Sequence, residues 1–185
     1  MDGPRDDFHF EQGAALRDGR AVAIRLMRPD DKERLIEAFA KLDRQSIYTR
    51  FFSFRKELPP GPLNRIDRID LRHLAALVVT LGEDDEQVVI GSASYVADTA
   101  ADGTREAEVA FTIEEDYQGQ GLAGRLLGAL IGIARRHGIA RFKAEVLAGN
   151  GPMLAVFQRC QLPMHTRRSG EVVELRLDLG GAETA

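Results

Sequence analysis

The chain has no tryptophan, only 6% aromatic residues and a single cysteine, Cys160. One cysteine excludes an intramolecular disulfide and fits a reducing compartment, so a cytoplasmic location is expected. No apolar run approaches the roughly 20 residues that a bilayer-spanning helix needs. The acidic start Met1–Asp7 is unlike a signal peptide. No Gly-Lys pair closes a P-loop, and no G-x-S-x-G marks a serine hydrolase. The four histidines are His9, His73, His137 and His165; no two stand at a metal-ligand spacing, and no metal is expected. A net charge of −4 leaves no nucleic-acid footprint. What remains is ordinary: 185 residues, 44% hydrophobic and 29% charged, enough for one domain with a sizeable core.

Residues 105–137 organise the rest. Ala107, Val109, Phe111 and Ile113 alternate with Glu106, Glu108, Ala110 and Thr112, a strand period. After Gly119 and Gly121, the residues Leu122, Leu126, Leu127, Leu130, Ile131 and Ala134 form one stripe of a helix. Strand, glycine turn and helix start make an anion site. The first helical N–H groups lack partners, the helix dipole adds positive charge, and glycine lets backbone approach a phosphate. Gly119-Gln120-Gly121-Leu122-Ala123-Gly124 spells the dinucleotide string G-x-G-x-x-G, but no strand-helix-strand alternation precedes it. Gln118-Gly119-Gln120-Gly121-Leu122-Ala123 spells Q/R-x-x-G-x-G/A in full, with Tyr117 just before it. The bland alternative is an ordinary glycine-rich turn. Gly124, Gly128 and Gly132 recur along the helix and read as backbone lying close against a sheet or ligand.

Elsewhere the pattern is coarser. Met1 to about Gln12 reads as a tail. Asp18-Gly19, between Ala14–Arg17 and Ala21–Met27, predicts a hairpin with a type I′ turn. Asp30 and Glu33 form a D-x-x-E helix start, followed by Leu35, Ile36, Phe39 and Leu42 on one face. A helix over 43–52 carries Ser46, Tyr48, Arg50, Phe51 and Phe52, readable as core packing or as a substrate-side wall. Pro59 to Pro62 form a rigid loop, and Leu63–Leu71 a third short helix. Strands are expected over His73–Leu81, Val88–Val96 and Arg141–Leu147, with Gly91 at a bulge or close approach. Met153–Arg159 is expected as a helix, and Met164–Arg167 with Val172–Leu179 as a closing hairpin.

In this setting the Gln118 string resembles the pyrophosphate loop of the GNAT acyltransferases, which bind acetyl-CoA. The order of elements over residues 16–179 is similar to the GNAT order. Three stretches are similar to GNAT domains of bacterial protein lysine acetyltransferases. They are Leu16-Arg17-Asp18-Gly19 leading to Ile24-Arg25 and Pro29-Asp30-Asp31, then Ser46 to Phe52, and Glu108-Val109-Ala110-Phe111. The resemblance implies an α/β (α+β) GNAT fold. Its mixed, mostly antiparallel sheet would have about six or seven strands and about four or five flanking helices. Residues 1–15 would form an arm and 16–185 a single domain. It further implies an acetyl-CoA-dependent N-acetyltransferase without a metal, acting on an amine, with a protein lysine favoured over a small molecule. A catalytically weak acyl-CoA-binding regulatory module is the rival. No nucleic-acid or membrane partner is implied, and monomer or homodimer is left open.

The resemblance also assigns roles. Backbone groups along Phe111, Thr112 and Ile113 would pair with the pantetheine arm and polarise the thioester. The N–H groups of Gln118, Gly119, Gln120, Gly121, Leu122, Ala123 and Gly124, with Arg125 beside them, would hold the pyrophosphate. Asn150 and Met153 would adjoin the cofactor arm, although Asn150 reads equally well as a turn residue next to Gly151-Pro152. Glu108 matches the position of a catalytic base, against the plain reading of a solvated strand carboxylate; Glu106 shares its face. Two departures stand out. Phe157 occupies the place where many GNAT enzymes carry a tyrosine that protonates the leaving thiolate. Cys160-Gln161-Leu162 replaces the usual Gly-Phe helix closure, and Cys160 itself reads as a structural thiol.

Overall fold

The computed structural model describes residues 9–51, 60–83 and 86–180. The Met1–Asp7 segment, Phe52 and Pro59 lie outside the described residues. Eight strands form one sheet in the order β1-β2-β3-β4-β5-β6-β8-β7. They are β1 (Glu11–Ala15), β2 (Ala21–Leu26), β3 (Leu74–Leu81), β4 (Val88–Thr99), β5 (Arg105–Ile113), β6 (Arg141–Leu147), β7 (Met164–Ser169) and β8 (Val172–Asp178). The helices are α1 (Lys32–Lys41), α2 (Arg44–Phe51), α3 (Pro60–Arg65), α4 (Leu122–Arg136) and α5 (Gly151–Arg159). The fold is thus the expected mixed α/β one, with one strand more than the upper count. No helix among the described residues is long and apolar enough to cross a membrane.

The extra strand is β1, which begins inside the stretch read as an arm and pairs with β2 along its whole length. The turn that joins them is not type I′. Gly19 N–H bonds to Leu16 O at 3.0 Å and Leu16 N–H to Arg20 O at 2.9 Å. Only Gly19 in that turn has positive φ, at 86°. This is a type I turn closed by a left-handed glycine, the usual longer hairpin. Before α1, the residue that bonds back to the turn is Asp31 rather than Asp30: its Oδ2 accepts the Arg28 N–H at 2.8 Å.

The stripe of α4 is as expected: Leu122, Leu126, Leu127, Leu130, Ile131 and Ala134 are all buried. Its glycines are not where the four-residue spacing suggested. Gly124, Gly128 and Gly132 are exposed, and a Cβ on any of them would meet nothing within 4 Å. The leucines make the contact with β3, β4 and β5, so the glycine side faces outward. Gly91 fits both of its readings. Val79 pairs with Gly91 but Thr80 with Val89, so Ile90 is an extra, bulged residue. A Cβ on Gly91 would lie 2.7 Å from Ile113 Cδ1 and 3.3 Å from Thr112 O, on the neighbouring β5.

One feature of the sheet positions the site. All neighbours are antiparallel except β5 and β6. That parallel ladder holds only Glu106↔Arg141, Ala107↔Phe142 and Glu108↔Lys143. Beyond it β5 stays with β4 to Ile113, while β6 stays with β8 to Leu147. The two strands therefore part after Glu108.

Candidate active site

The parting leaves one edge of β5 open. Ala140 N–H bonds to Arg105 O, whereas Glu114 N–H bonds to Ile90 O on the β4 side. In an antiparallel strand the backbone groups of alternate residues face opposite neighbours. The odd-numbered residues of β5 thus aim at β6, and past the vertex Val109, Phe111 and Ile113 face the gap. Ile113 O is partly taken up, since Gln118 Nε2 donates to it at 3.0 Å and reaches Ser46 Oγ at 3.3 Å. Thr112 turns its backbone to β4 instead.

At the open end of the gap lies the glycine turn. Gly119 and Gly121 have φ of 70° and 82°, values that a residue with a Cβ rarely adopts. Gly121 is the residue before α4, and the first helical bond runs from Arg125 N–H to Gly121 O at 3.2 Å. The N–H groups of Leu122, Ala123 and Gly124 are therefore the open donors of the helix start. Gln118 does not join them through its own N–H, which bonds to Glu115 O at 3.2 Å. Gln120 has a different task again: its Oε1 accepts the Arg17 N–H at 2.9 Å.

A groove of about 1020 Å³ connects these parts. Glu108, Phe111, Thr112, Ile113, Gln118, Gly119, Gly121, Leu122, Ala123, Asn150 and Met153 all line it. Gln120, Gly124 and Arg125 sit at the same turn but outside its wall. Asn150 also caps α5, its Oδ1 accepting the Met153 N–H at 3.2 Å. Asn150→Ala should therefore cost about 1 kcal/mol of stability in a urea melt, the usual worth of such a cap. A loss of acetyl-CoA affinity well beyond that would mean that the amide touches the cofactor arm.

The two carboxylates of β5 have separate fates. Glu106 is buried, with Lys143 Nζ 2.5 Å from Oε1 and Arg141 Nη1 3.4 Å from Oε2. Glu108 is exposed to the groove. Across from it α2 contributes Gln45, Ser46, Tyr48 and Arg50 to the same wall, so the substrate-wall reading of this helix has a structural counterpart. Burial draws the Arg50 guanidinium below its ordinary range, while the charge of Glu108 works the other way. In the sequence Arg50 stands out as part of the aromatic cluster and of the Ser46 to Phe52 stretch, and nothing in the string ties it to Glu108. Phe157 is buried and packs edge-on against Phe111, ring centroids 5.9 Å apart. No group of three or more metal-ligating side chains is gathered among the described residues.

An enzyme that takes an acyl group from a coenzyme A thioester needs a cradle for a diphosphate and an open strand edge for an amide-bearing arm. This geometry supplies both, and that is the class it defines. The chain belongs to the GNAT acetyltransferase family: the profile described as Acetyltransferase (GNAT) family matches residues 42–161. It is an N-acetyltransferase with acetyl-CoA as donor, as in that family. The chain is 35% identical to Acetyltransferase PA5475 of Pseudomonas aeruginosa over 75% of its own length and 73% of that protein's. It is 33% identical to Acetyltransferase Pat of Mycolicibacterium smegmatis over 78% of its length, and this match spans only 42% of that protein. Among solved structures, the GNAT domain of S. lividans PAT superposes with a TM-score of 0.78 at 33% identity, covering 91% of this chain and 96% of that one. Two of these relatives carry the name Pat, in line with the subgroup that the three short stretches resemble.

Proposed function

We propose that the acceptor is a protein lysine and that Glu108 takes its proton as the amine attacks the thioester directly. The observation that carries this reading is the division between the β5 carboxylates. Glu106 is engaged by Lys143 and Arg141, while Glu108 lines the groove at the vertex where β5 leaves β6. A lysine amine has a pKa of about 10.4 and must lose a proton before it can attack. A carboxylate in the groove can accept that proton directly or through one water. Past the β6 ladder, the open backbone edge at Phe111 offers an N–H donor toward the developing oxyanion. Phe157 has no hydroxyl to give, so the thiolate departs without a proton from that position.

The preference for a protein lysine is supported by the three stretches similar to bacterial protein lysine acetyltransferases and by the wall that α2 adds on the Glu108 side. Coenzyme A release, measured across lysine peptides and small amines, tests it. A lysine peptide should give the highest kcat/KM. Faster turnover of a small amine would remove the protein acceptor. Release no faster than acetyl-CoA hydrolysis for every amine would leave a binding module.

A further inference from the structure

We propose that Arg17, at the tip of the β1–β2 hairpin, recognises the 3′-phosphate of coenzyme A and ranks it above the dephosphorylated cofactor. The hairpin is built into the donor site. Its Arg17 N–H is held by Gln120 Oε1 of the glycine turn at 2.9 Å, across 103 residues of sequence. Arg20, the neighbouring cation, is occupied: its Nε lies 2.7 Å from Asp18 Oδ2, and its guanidinium stacks 5.4 Å from the centre of the Tyr117 ring. That contact braces the hairpin against the residue preceding the glycine turn. Arg17 lines the groove and, among the described residues, makes no salt bridge.

The order of groups along the groove assigns the phosphate. Glu108 marks the reacting end, the open edge of β5 follows, then the turn from Gly119 to Gly121, and Arg17 stands beside that turn, bonded to Gln120. Coenzyme A has the same linear order: thioester, pantetheine, diphosphate, then the 3′-phosphoadenosine. Backbone N–H groups of the turn and of α4 suffice for the diphosphate. The 3′-phosphate needs a side chain, and a guanidinium presents paired donors that fit phosphate oxygens. Three other arginines line the groove: Arg50 on α2, whose charge meets that of Glu108 at the reacting end, and Arg159 on α5 and Arg168 on the β7–β8 hairpin, both on the far wall. Arg168 Nε already donates to Gly170 O at 3.1 Å, and Glu171 shares its wall.

Calorimetric titration with coenzyme A and with 3′-dephospho-coenzyme A tests the assignment without any acceptor. The wild-type protein should bind coenzyme A about tenfold more tightly, the weight of one charge-assisted bond. Arg17→Ala should weaken coenzyme A to the dephospho level and leave the dephospho affinity where it was. Its ligand-free melting temperature should not move, because the side chain is exposed. Arg17→Lys should keep part of the preference, and Arg159→Ala all of it. Equal weakening of both ligands by Arg17→Ala would mean that Arg17 acts on the diphosphate or through the turn, and would overturn the proposal. So would an intact preference in Arg17→Ala, or a preference lost in Arg159→Ala instead.

Discussion

Asp31→Ala is expected to destabilise the fold by about 3–5 kcal/mol, as removal of one partner from a buried ion pair does. Asp31 is fully buried, and Arg25 is nearly so. The guanidinium forks onto both carboxylate oxygens at 2.7 Å, and Arg25 also donates to Leu26 O and Gln87 Oε1 at 3.0 Å each. Truncating Asp31 leaves that cation buried without its counter-charge and frees the Arg28 N–H. A loss of this size is a large share of a typical total of about 5–15 kcal/mol. Replacing both partners together, as Arg25→Met with Asp31→Leu, should cost far less, because no charge is then stranded. Acid should act on the same pair. Burial alone pushes the Asp31 carboxyl up, but the bonds from Arg25 and Arg28 and the charges of Arg25 and Arg34 outweigh it and hold it below the ordinary range. A carboxyl depressed in the folded state contributes stability above its unfolded value of about 3.9, and loses it as pH falls through the folded value. Urea melts of wild type should therefore weaken below about pH 4, and Asp31→Ala should lack its share of that fall. A wild-type curve and an Asp31→Ala curve that run parallel through this window would show that the pair does not titrate with folding.

Glu108→Gln should lower turnover by roughly 10²–10⁴, the usual worth of general base catalysis. Glutamine keeps the shape of the side chain and its hydrogen bonding but cannot accept a proton at neutral pH. Acetyl-CoA affinity should be unchanged, because the groups proposed to hold the cofactor, backbone N–H groups of β5, the glycine turn and α4 together with the Arg17 side chain, do not include the Glu108 carboxylate. Glu106→Gln, two residues away on the same strand face, is unsuited as a control. It would disturb a buried carboxylate held by Lys143 and Arg141 and so lower stability as well as activity. Glu145, a groove carboxylate on β6, is the better comparison, and Glu145→Gln should keep turnover near wild type. Equal losses in the two variants would assign Glu108 to the solvated surface.

The parts of the fold that were legible are those whose signal is local and periodic. The leucine stripe of α4 and the bounds of β6 stand as the sequence predicts, because each buries one clear face, and β5 is a strand as expected, although Glu106 on its polar side is buried too. β1 was legible only through the hairpin at Asp18-Gly19, and its start at Glu11 was not: Glu-Gln-Gly-Ala-Ala has little strand preference, lies mostly exposed at the sheet edge and is held by its pairing with β2. The glycine spacing of α4 misled because spacing alone does not say which side of a helix meets the sheet. At the site, the turn before α4 was readable because its two positive-φ positions favour glycine. The uses of Gln118 and Gln120 were not, since hydrogen bonds to Ile113 O and Arg17 N–H join segments that only the fold brings together. The same holds for the fate of Glu106, which depends on a parallel pairing with β6, and for Arg50, which shares the groove with Glu108 from a separate helix.

The central claim is that Glu108 removes the proton from the attacking amine, and the pH–rate profile of Glu108→Gln beside wild type, with the best lysine peptide found, tests it most directly. At pH 7 only a few ten-thousandths of an amine of pKa about 10.4 is neutral, and that fraction rises tenfold per pH unit. A variant without the base depends on this fraction, so its rate should climb steeply with pH and the deficit against wild type should shrink. Wild type should show a much shallower rise over the same range. A deficit that stays constant from pH 7 to pH 10, or two profiles of the same slope, would contradict the assignment of Glu108 as base.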